Sequence, residues 1–309
     1  MSGIFKYKNN QPVNWFNSYL PKSNQYCLYC GSFFGDSSII ESDKEHLIAR
    51  EFVPTGEFGE GKEFNFIFRA CKKCNLEKSN LERHISTVTL FKSPARRESE
   101  EHNEIAIRKA GKDYHPDKKG SLVKDSGDDL KIVLNDSNIK MTFGLVGPPQ
   151  ENTDHVLLLA FRHIQGIFTL ITSKNPLTAD GTRLLVAEHF HLFGTYSHSD
   201  WGNPQLLAIM ERVSNIPCYA NILTANGFFR AIMRRNNGEK GEWFWALEWN
   251  KSLRLVGSIG LPVNTSKIFS DLPSLAWKYL GLQDGAKTRM REEIPIKEEQ
   301  DNLFSADVK

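Results

Sequence analysis

The sequence predicts an α+β protein in two parts, on three observations. Four of its five cysteines form two Cys-x-x-Cys pairs, Cys27 with Cys30 and Cys71 with Cys74, around a strand–loop–strand–helix pattern. Far downstream, 220–235 and 242–259 are long β-rich runs in which Trp243, Trp245, Leu247 and Trp249 alternate onto one face. Between these regions, 154–172 is long and apolar. A length of 309 residues accommodates about two domains, each able to bury a core.

The N-terminal elements follow from local signals. A turn over 31–37 leads into a short strand, Ser38 to His46, and 51–61 carries Pro54, Gly56, Gly59 and Gly61 and reads as a loop. Asn65 to Arg69 is a second apolar strand. From Asn75 onward, Leu76, Asn80 and His84 recur at four-residue steps beside Leu81 and Ile85, which predicts a helix with Asn75 at its N-cap. The opening stretch holds Trp15, Phe16, Tyr19 and Leu20, expected to pack against the cysteine pairs.

The cysteine arithmetic points to a metal. A two-residue gap lets both thiolates of a tight turn face one cation, and two such turns complete a tetrahedral Zn²⁺ site. Disulfides and a redox dithiol are the alternatives. The first twenty residues are polar and broken by Lys6, Lys8, Asn9 and Asn10, unlike a secretory leader, so a reducing, cytoplasmic setting is expected and zinc is preferred to disulfides. No βαβ pattern supports the redox alternative, and Cys218 reads as a small buried apolar residue.

Taken together, Cys27-x-x-Cys30, Glu45-His46, Asn65 and Cys71-x-x-Cys74-Asn75-x-x-Lys78 resemble the HNH endonuclease family in its zinc-framed, four-cysteine form. The likeness covers about a fifth of the chain, Tyr26 to roughly Ile85. It implies an N-terminal ββα-metal module framed by the structural zinc; the rest of the chain lies outside the likeness and reads, from its own residues, as a mixed α+β part with antiparallel strands. The likeness implies hydrolysis of DNA phosphodiester bonds, leaving 5′-phosphate and 3′-hydroxyl ends. His46 would be the general base, Glu45 and Asn75 the ligands of a catalytic Mg²⁺ or Mn²⁺, and Asn65 the brace of the loop behind the histidine. The chemistry is coherent, because a hard cation held by one carboxylate and one amide oxygen keeps positions open for substrate, and a neutral imidazole can take a proton from water. Two departures stand out: Glu45 replaces the frequent Asp, and Asn75 stands where some relatives carry His. His84 is a substitute ligand to consider, though on a charged helix a solvated or DNA-facing role is the plainer expectation.

A net charge of +2 gives no global sign of nucleic-acid binding. Basic residues nevertheless concentrate over 62–97, and Lys72, Lys73, Lys78 and Arg83 are expected to contact DNA phosphates. The competing reading is a solvated helix face with pairs such as Lys73 with Glu77.

The expected boundaries are an N-terminal module over 1–97, a charged linker over 98–128 with a short helix near 104–110, an α+β part over 129–286 and a mobile charged tail over 287–309. In the third segment, 130–134 and 139–143 read as a hairpin, 154–172 as a buried helix and not a membrane span, 204–214 as a helix, and 272–282 as a last helix. The tryptophan stripe reads as the core face of a sheet, with a base-stacking platform as its sharper alternative. Arg230, Arg234 and Arg235 are candidate phosphate contacts, and the C-terminal part is open to a nucleotide, a protein partner or a second copy of the chain. Such a chain fits a restriction or anti-phage effector, or a mobile-element nuclease. Its rival is a zinc-stabilised nucleic-acid-binding or regulatory module that does not cut.

Overall fold

Alternation of apolar side chains along the C-terminal third fixes the central feature, a six-stranded sheet. A computed structural model describes residues 5–7, 26–34, 40–59, 66–127, 129–136, 139–147, 149–172, 185–236, 242–281 and 287–306. Along the chain the strands are β1 (Phe5–Tyr7), β2 (Ser42–His46), β3 (Ile67–Cys71), β4 (Asp129–Asp136), β5 (Ile139–Val146), β6 (Phe190–Ser197), β7 (Cys218–Thr224), β8 (Phe229–Arg235), β9 (Trp243–Trp249), β10 (Leu253–Ile259), β11 (Lys278–Gly281) and β12 (Lys287–Met290). The helices are α1 (Lys72–Lys92), α2 (Ala95–Glu98), α3 (Glu100–Ala110), α4 (Thr153–Thr172) and α5 (Pro204–Val213). The fold is mixed α+β, and its sheets are antiparallel except where β1 joins β7 in parallel.

The large sheet runs β1-β7-β8-β9-β10-β6 and is covered on both faces. One face carries Trp243, Trp245, Leu247, Trp249 and Leu255 into a core shared with Val156, Leu159 and Ile164 of α4 and with Phe52 and Ile85 from the N-terminal region. The other carries Ile232, Phe244, Ala246 and Val256 against Leu206, Ile209 and Met210 of α5. Because both faces are covered, every residue of β9 and β10 is buried, and the two charges they carry, Glu248 and Arg254, pair with each other at 2.9 Å. The tryptophan stripe is therefore core: Trp245 stacks on Phe190 with centroids 4.8 Å apart and donates its indole N–H to the Ser258 carbonyl. A Cβ at Gly257 would lie 2.4 Å from the Trp245 ring and 2.0 Å from the His191 carbonyl, so only glycine passes there, at the bulge between β10 and β6.

Several expectations change. The segment expected to be a linker is helical and packed: Ala110 and Val123 bury against Val88 of α1, and Lys109 donates to the Glu51 carbonyl. Helix α1 begins at Lys72, earlier than expected, because Cys71 and not Asn75 is its N-cap, its Sγ accepting from the Cys74 amide at 3.5 Å. In place of a last helix over 272–282, the chain runs through coil into β11, whose partner β12 lies in the expected tail. That tail is docked. Leu303 and Phe304 are buried among α5 and the sheet, the Arg254 guanidinium grips the Asp301 carboxylate with both nitrogens, and Arg291 pairs with Asp200. Arg234 is 1% exposed and spends its guanidinium on the carbonyls of Ile216 and Ser305, so it offers nothing to a phosphate. Arg230 is half-buried over the Phe304 ring, whereas Arg235 lies over Trp243 and is exposed.

Trp15, Phe16, Tyr19 and Leu20 lie outside the described residues, but the segment just before them, β1, pairs with β7 at the far sheet edge. The hairpin β4–β5, the buried helix α4 and helix α5 stand where the sequence places them. No helix among the described residues is long and apolar enough to cross a membrane.

Docking of the C-terminal segment predicts that Phe304→Ala, which empties a buried aromatic site, lowers unfolding free energy by about 3–5 kcal/mol. Urea denaturation indistinguishable from the parent protein would mean that the segment does not pack in solution.

Candidate metal centre and acid–base cluster

Strands β2 and β3 pair in antiparallel register from Ser42 opposite Cys71 to His46 opposite Ile67. The chain then passes without a break into α1, so one end of this ribbon is set beside the cysteines and the other beside Glu45 and His46. The four thiol sulfurs of Cys27, Cys30, Cys71 and Cys74 lie within 4.8 Å of one another. Cys30 Sγ and Cys71 Sγ are 3.8 Å apart, close to the edge, about 3.8 Å, of a tetrahedron with Zn–S bonds of ~2.3 Å. None of the five cysteines is in a disulfide. The Cys74 thiol, hydrogen-bonded to Cys27, together with the backbone amides of Cys71, Cys30 and Tyr29, brings the Cys27 thiol down to about 5. Burial raises the Cys71 thiol, and the hydrogen bond with Cys27 raises that of Cys74. Four soft donors within 4.8 Å of one another, one already disposed to ionise, can hold a zinc ion. Cys218 is buried in the second core, as expected for a small apolar residue.

At the other end, the side chain of Glu45 turns inward and is 4% exposed. Its Oε1 accepts from the Tyr29 hydroxyl at 3.0 Å and from Lys78 Nζ at 2.9 Å. Lys78 is 1% exposed. It also pairs with Glu82 at 2.8 Å, one helical turn on, and donates to the His46 carbonyl at 3.0 Å. Glu82 Oε1 in turn accepts from the Ala49 amide at 2.9 Å and faces His163 Nε2 of α4 at 3.5 Å. Two carboxylates share one ammonium, and their environments separate them. Burial raises the Glu45 carboxyl against the opposing pull of Lys78. Burial also pushes Glu82 up, but Lys78 and His163 outweigh it and hold that carboxyl low. Burial lowers His163 to about 4 and raises Tyr29 well above the usual phenol range.

These positions correct several expectations. Lys78 is not part of an exposed basic face, because its ammonium is the internal counter-charge of this cluster. Lys72 is exposed but paired with Glu41 at 2.7 Å, Lys73 is exposed, and Arg83 is exposed with Asp113 at 3.6 Å. Glu77 faces Arg162 at 3.8 Å. Asn75 is half-exposed on the first turn of α1. Asn65 lies outside the described residues. His84 is neither solvated nor at the cysteines. It is buried beside His115 and His155, with ring centroids 5.3 and 5.5 Å away, and burial lowers it to about 4. Among the described residues the four thiols are the one group of cysteine, histidine or acidic side chains close enough to share an ion. For a second, divalent ion the donors do not fit as arranged: Glu45 is enclosed and already neutralised by Lys78, which leaves Asn75 as the accessible member.

His46 is half-buried, and its Nε2, shielded from water, has no hydrogen-bond partner among the described residues. Burial, reinforced by the positive charges of Lys44, Arg50 and Lys78, lowers the imidazole to about 4, so it is neutral at physiological pH. Sequence reasoning missed Tyr29, Glu82 and His163. The available signals were the i,i+4 spacing of Lys78 and Glu82 and a histidine interrupting an apolar helix.

Comparison with family models, curated proteins and solved structures finds no match to the chain. Fold and site therefore define a mixed α+β protein with antiparallel sheets and a four-cysteine cluster able to hold zinc.

About one zinc ion per chain is expected by elemental analysis. Cys71→Ser should lose it and destabilise the β2–β3–α1 unit, and acidification should release it as protons compete for the thiolates. Undiminished stability in Cys71→Ser, with no zinc in the parent protein, would exclude the site. For the cluster, Lys78→Met leaves two carboxylates without their counter-charge and should cost about 3–5 kcal/mol at pH 7. In that variant both folded-state carboxyl values rise above their unfolded ones. The folded state then binds more protons, and stability should recover as pH falls from 7 toward 5. Equal urea midpoints for variant and parent at pH 7 would deny the cluster its structural role.

Proposed function

We propose that the chain is a phosphodiester hydrolase of the HNH kind acting on DNA, with His46 as its general base. The observation that carries this reading is the state of His46: a neutral imidazole whose Nε2 has no partner among the described residues, at the end of a strand paired to the one that leads into α1. In the proposed reaction His46 Nε2, shielded in this structure, is first opened to a water molecule; it then accepts a proton from that water, the resulting hydroxide attacks phosphorus, and the 3′ oxygen leaves with the bonding pair. Exposed Lys72, Lys73 and Arg83 on α1 supply non-specific attraction for the phosphate backbone. The Mg²⁺ or Mn²⁺ requirement implied by the resemblance remains part of the proposal, and binding at Glu45 would need Lys78 to give way. A restriction or anti-phage role is the setting we favour.

A second reading has its own support. The enclosed Glu45–Lys78 pair is what a zinc-stabilised nucleic-acid-binding or regulatory module without cleavage would retain.

Plasmid cleavage with Mg²⁺ or Mn²⁺ decides between them. His46→Ala should reduce the rate by about 10²–10⁴-fold while zinc content and DNA binding persist. Since the base must be neutral to act, activity should be present above the lowered imidazole value and lost as pH falls through about 4. If the parent protein cuts neither DNA nor RNA with any divalent ion, the binding module is the correct reading. If His46→Ala cuts as well as the parent, another residue is the base.

A further inference from the structure

The C-terminal end of α1 forms one wall of a cleft of about 650 Å³ whose other wall is the end of β6 and the turn after it. That volume falls within the ~300–1,000 Å³ typical of small-molecule sites. Phe91 lies thirteen residues beyond Lys78, whose Nζ reaches the His46 carbonyl, or roughly 20 Å along α1 at 1.5 Å per residue, so this cleft is separate from the region around His46.

Its lining is cationic and rich in donors. Arg96 lies over the Phe91 ring, 4.3 Å from the centroid, with its Nε donating to Asn103 at 3.0 Å and an Nη to the Phe91 carbonyl. Arg97 follows it, exposed to solvent. Neither guanidinium has a carboxylate partner among the described residues, and burial with the neighbouring Arg97 charge holds Arg96 below its ordinary range. Lys92, by contrast, is neutralised by both oxygens of Glu151 at 3.1 Å. Across the cleft stand His198 and the hydroxyls of Ser197 and Ser199. Burial opposes protonation of His198, as do the positive charges of Arg254 and, more weakly, Arg97, against Glu98. The Ser197 and Ser199 hydroxyls already hold an anion, the Glu293 carboxylate, which accepts from Ser197 at 3.1 Å and from Ser199.

Two adjacent guanidiniums without a counter-charge, facing hydroxyls that already cradle a carboxylate, make a receptor for a tetrahedral oxyanion. We infer that this cleft binds a small phosphate monoester of nucleotide size, its phosphate held by Arg97, Arg96 and the two serine hydroxyls, with Glu293 as the resident competitor.

Calorimetry on the full chain tests this with adenosine 5′-monophosphate, inorganic phosphate, adenosine and a ten-residue oligothymidylate as probes. Adenosine 5′-monophosphate should bind one to one, and inorganic phosphate should compete with it. Adenosine should bind at least about tenfold more weakly, as loss of a charge-assisted contact requires. Arg97→Glu should weaken binding by about tenfold or more. Glu293→Gln removes the competing charge and should strengthen it. Arg97 is exposed, so its variant should melt like the parent. Binding should weaken with added salt and persist in His46→Ala, whatever the outcome of the cleavage assay. Absence of phosphate-ester binding, equal affinity for adenosine, or indifference to Arg97→Glu would overturn the proposal. So would loss of binding in His46→Ala, or a cleft that takes the oligonucleotide in an Arg97-dependent way but not the monophosphate.

Discussion

The N-terminal half is organised around one buried ammonium. Lys78 holds Glu45 of β2, Glu82 one turn further along α1 and the carbonyl of His46 within 3.0 Å, and through them it reaches Tyr29 inside the first cysteine pair and His163 on α4. Charges removed from water are costly unless paired and hydrogen-bonded. A strand, a helix, a loop amide and a cysteine turn must therefore all be in place before the cluster becomes favourable. The same arrangement adds positive charge to the burial that keeps the His46 imidazole neutral.

The second constraint is α4, which acts as a layer common to both parts of the chain. Its Leu159, Ala160 and Ile164 are fully buried between the large sheet and the N-terminal elements. Gly166 allows the approach to Leu47, the residue after His46, since a Cβ there would meet Leu47 Cδ1 at 2.4 Å. Asn250, in the turn from β9 to β10, donates to the Phe52 carbonyl and to Thr89 of α1. The surroundings of His46 are thus set partly by residues more than a hundred positions away. Rigidity at this distance comes from close packing, where a single added carbon has no space.

At its far end α1 carries Phe91 and Lys92 into the cleft bounded by Arg96, Arg97 and the β6 turn. One helix therefore spans two chemically different places: a neutral histidine beside an enclosed cation, and an open pair of guanidiniums. Their difference is one of desolvation. Inside, each charge has a partner; at the cleft Lys92 has Glu151, whereas Arg96 and Arg97 have no carboxylate partner among the described residues.

The sequence by itself determined what depends on local spacing. The two Cys-x-x-Cys turns, the strand–strand–helix order, the hairpin of 130–134 and 139–143, helix α5 and the inward face of β9 are legible because two-residue gaps, period two and period 3.6 are short-range properties. The four thiols converge as that spacing suggests. Only the tertiary structure decided the fate of the charges. Lys78 and Arg234 look in sequence like surface cations, His84 like a solvated histidine, and 287–309 like a mobile polar tail. Each is placed by partners distant in the chain: Glu45 for Lys78, Ser305 for Arg234, His115 and His155 for His84, and Arg254 for Asp301. No local pattern encodes such pairs, because a polar group's cost of burial is met by whichever long-range contact the completed core brings to it.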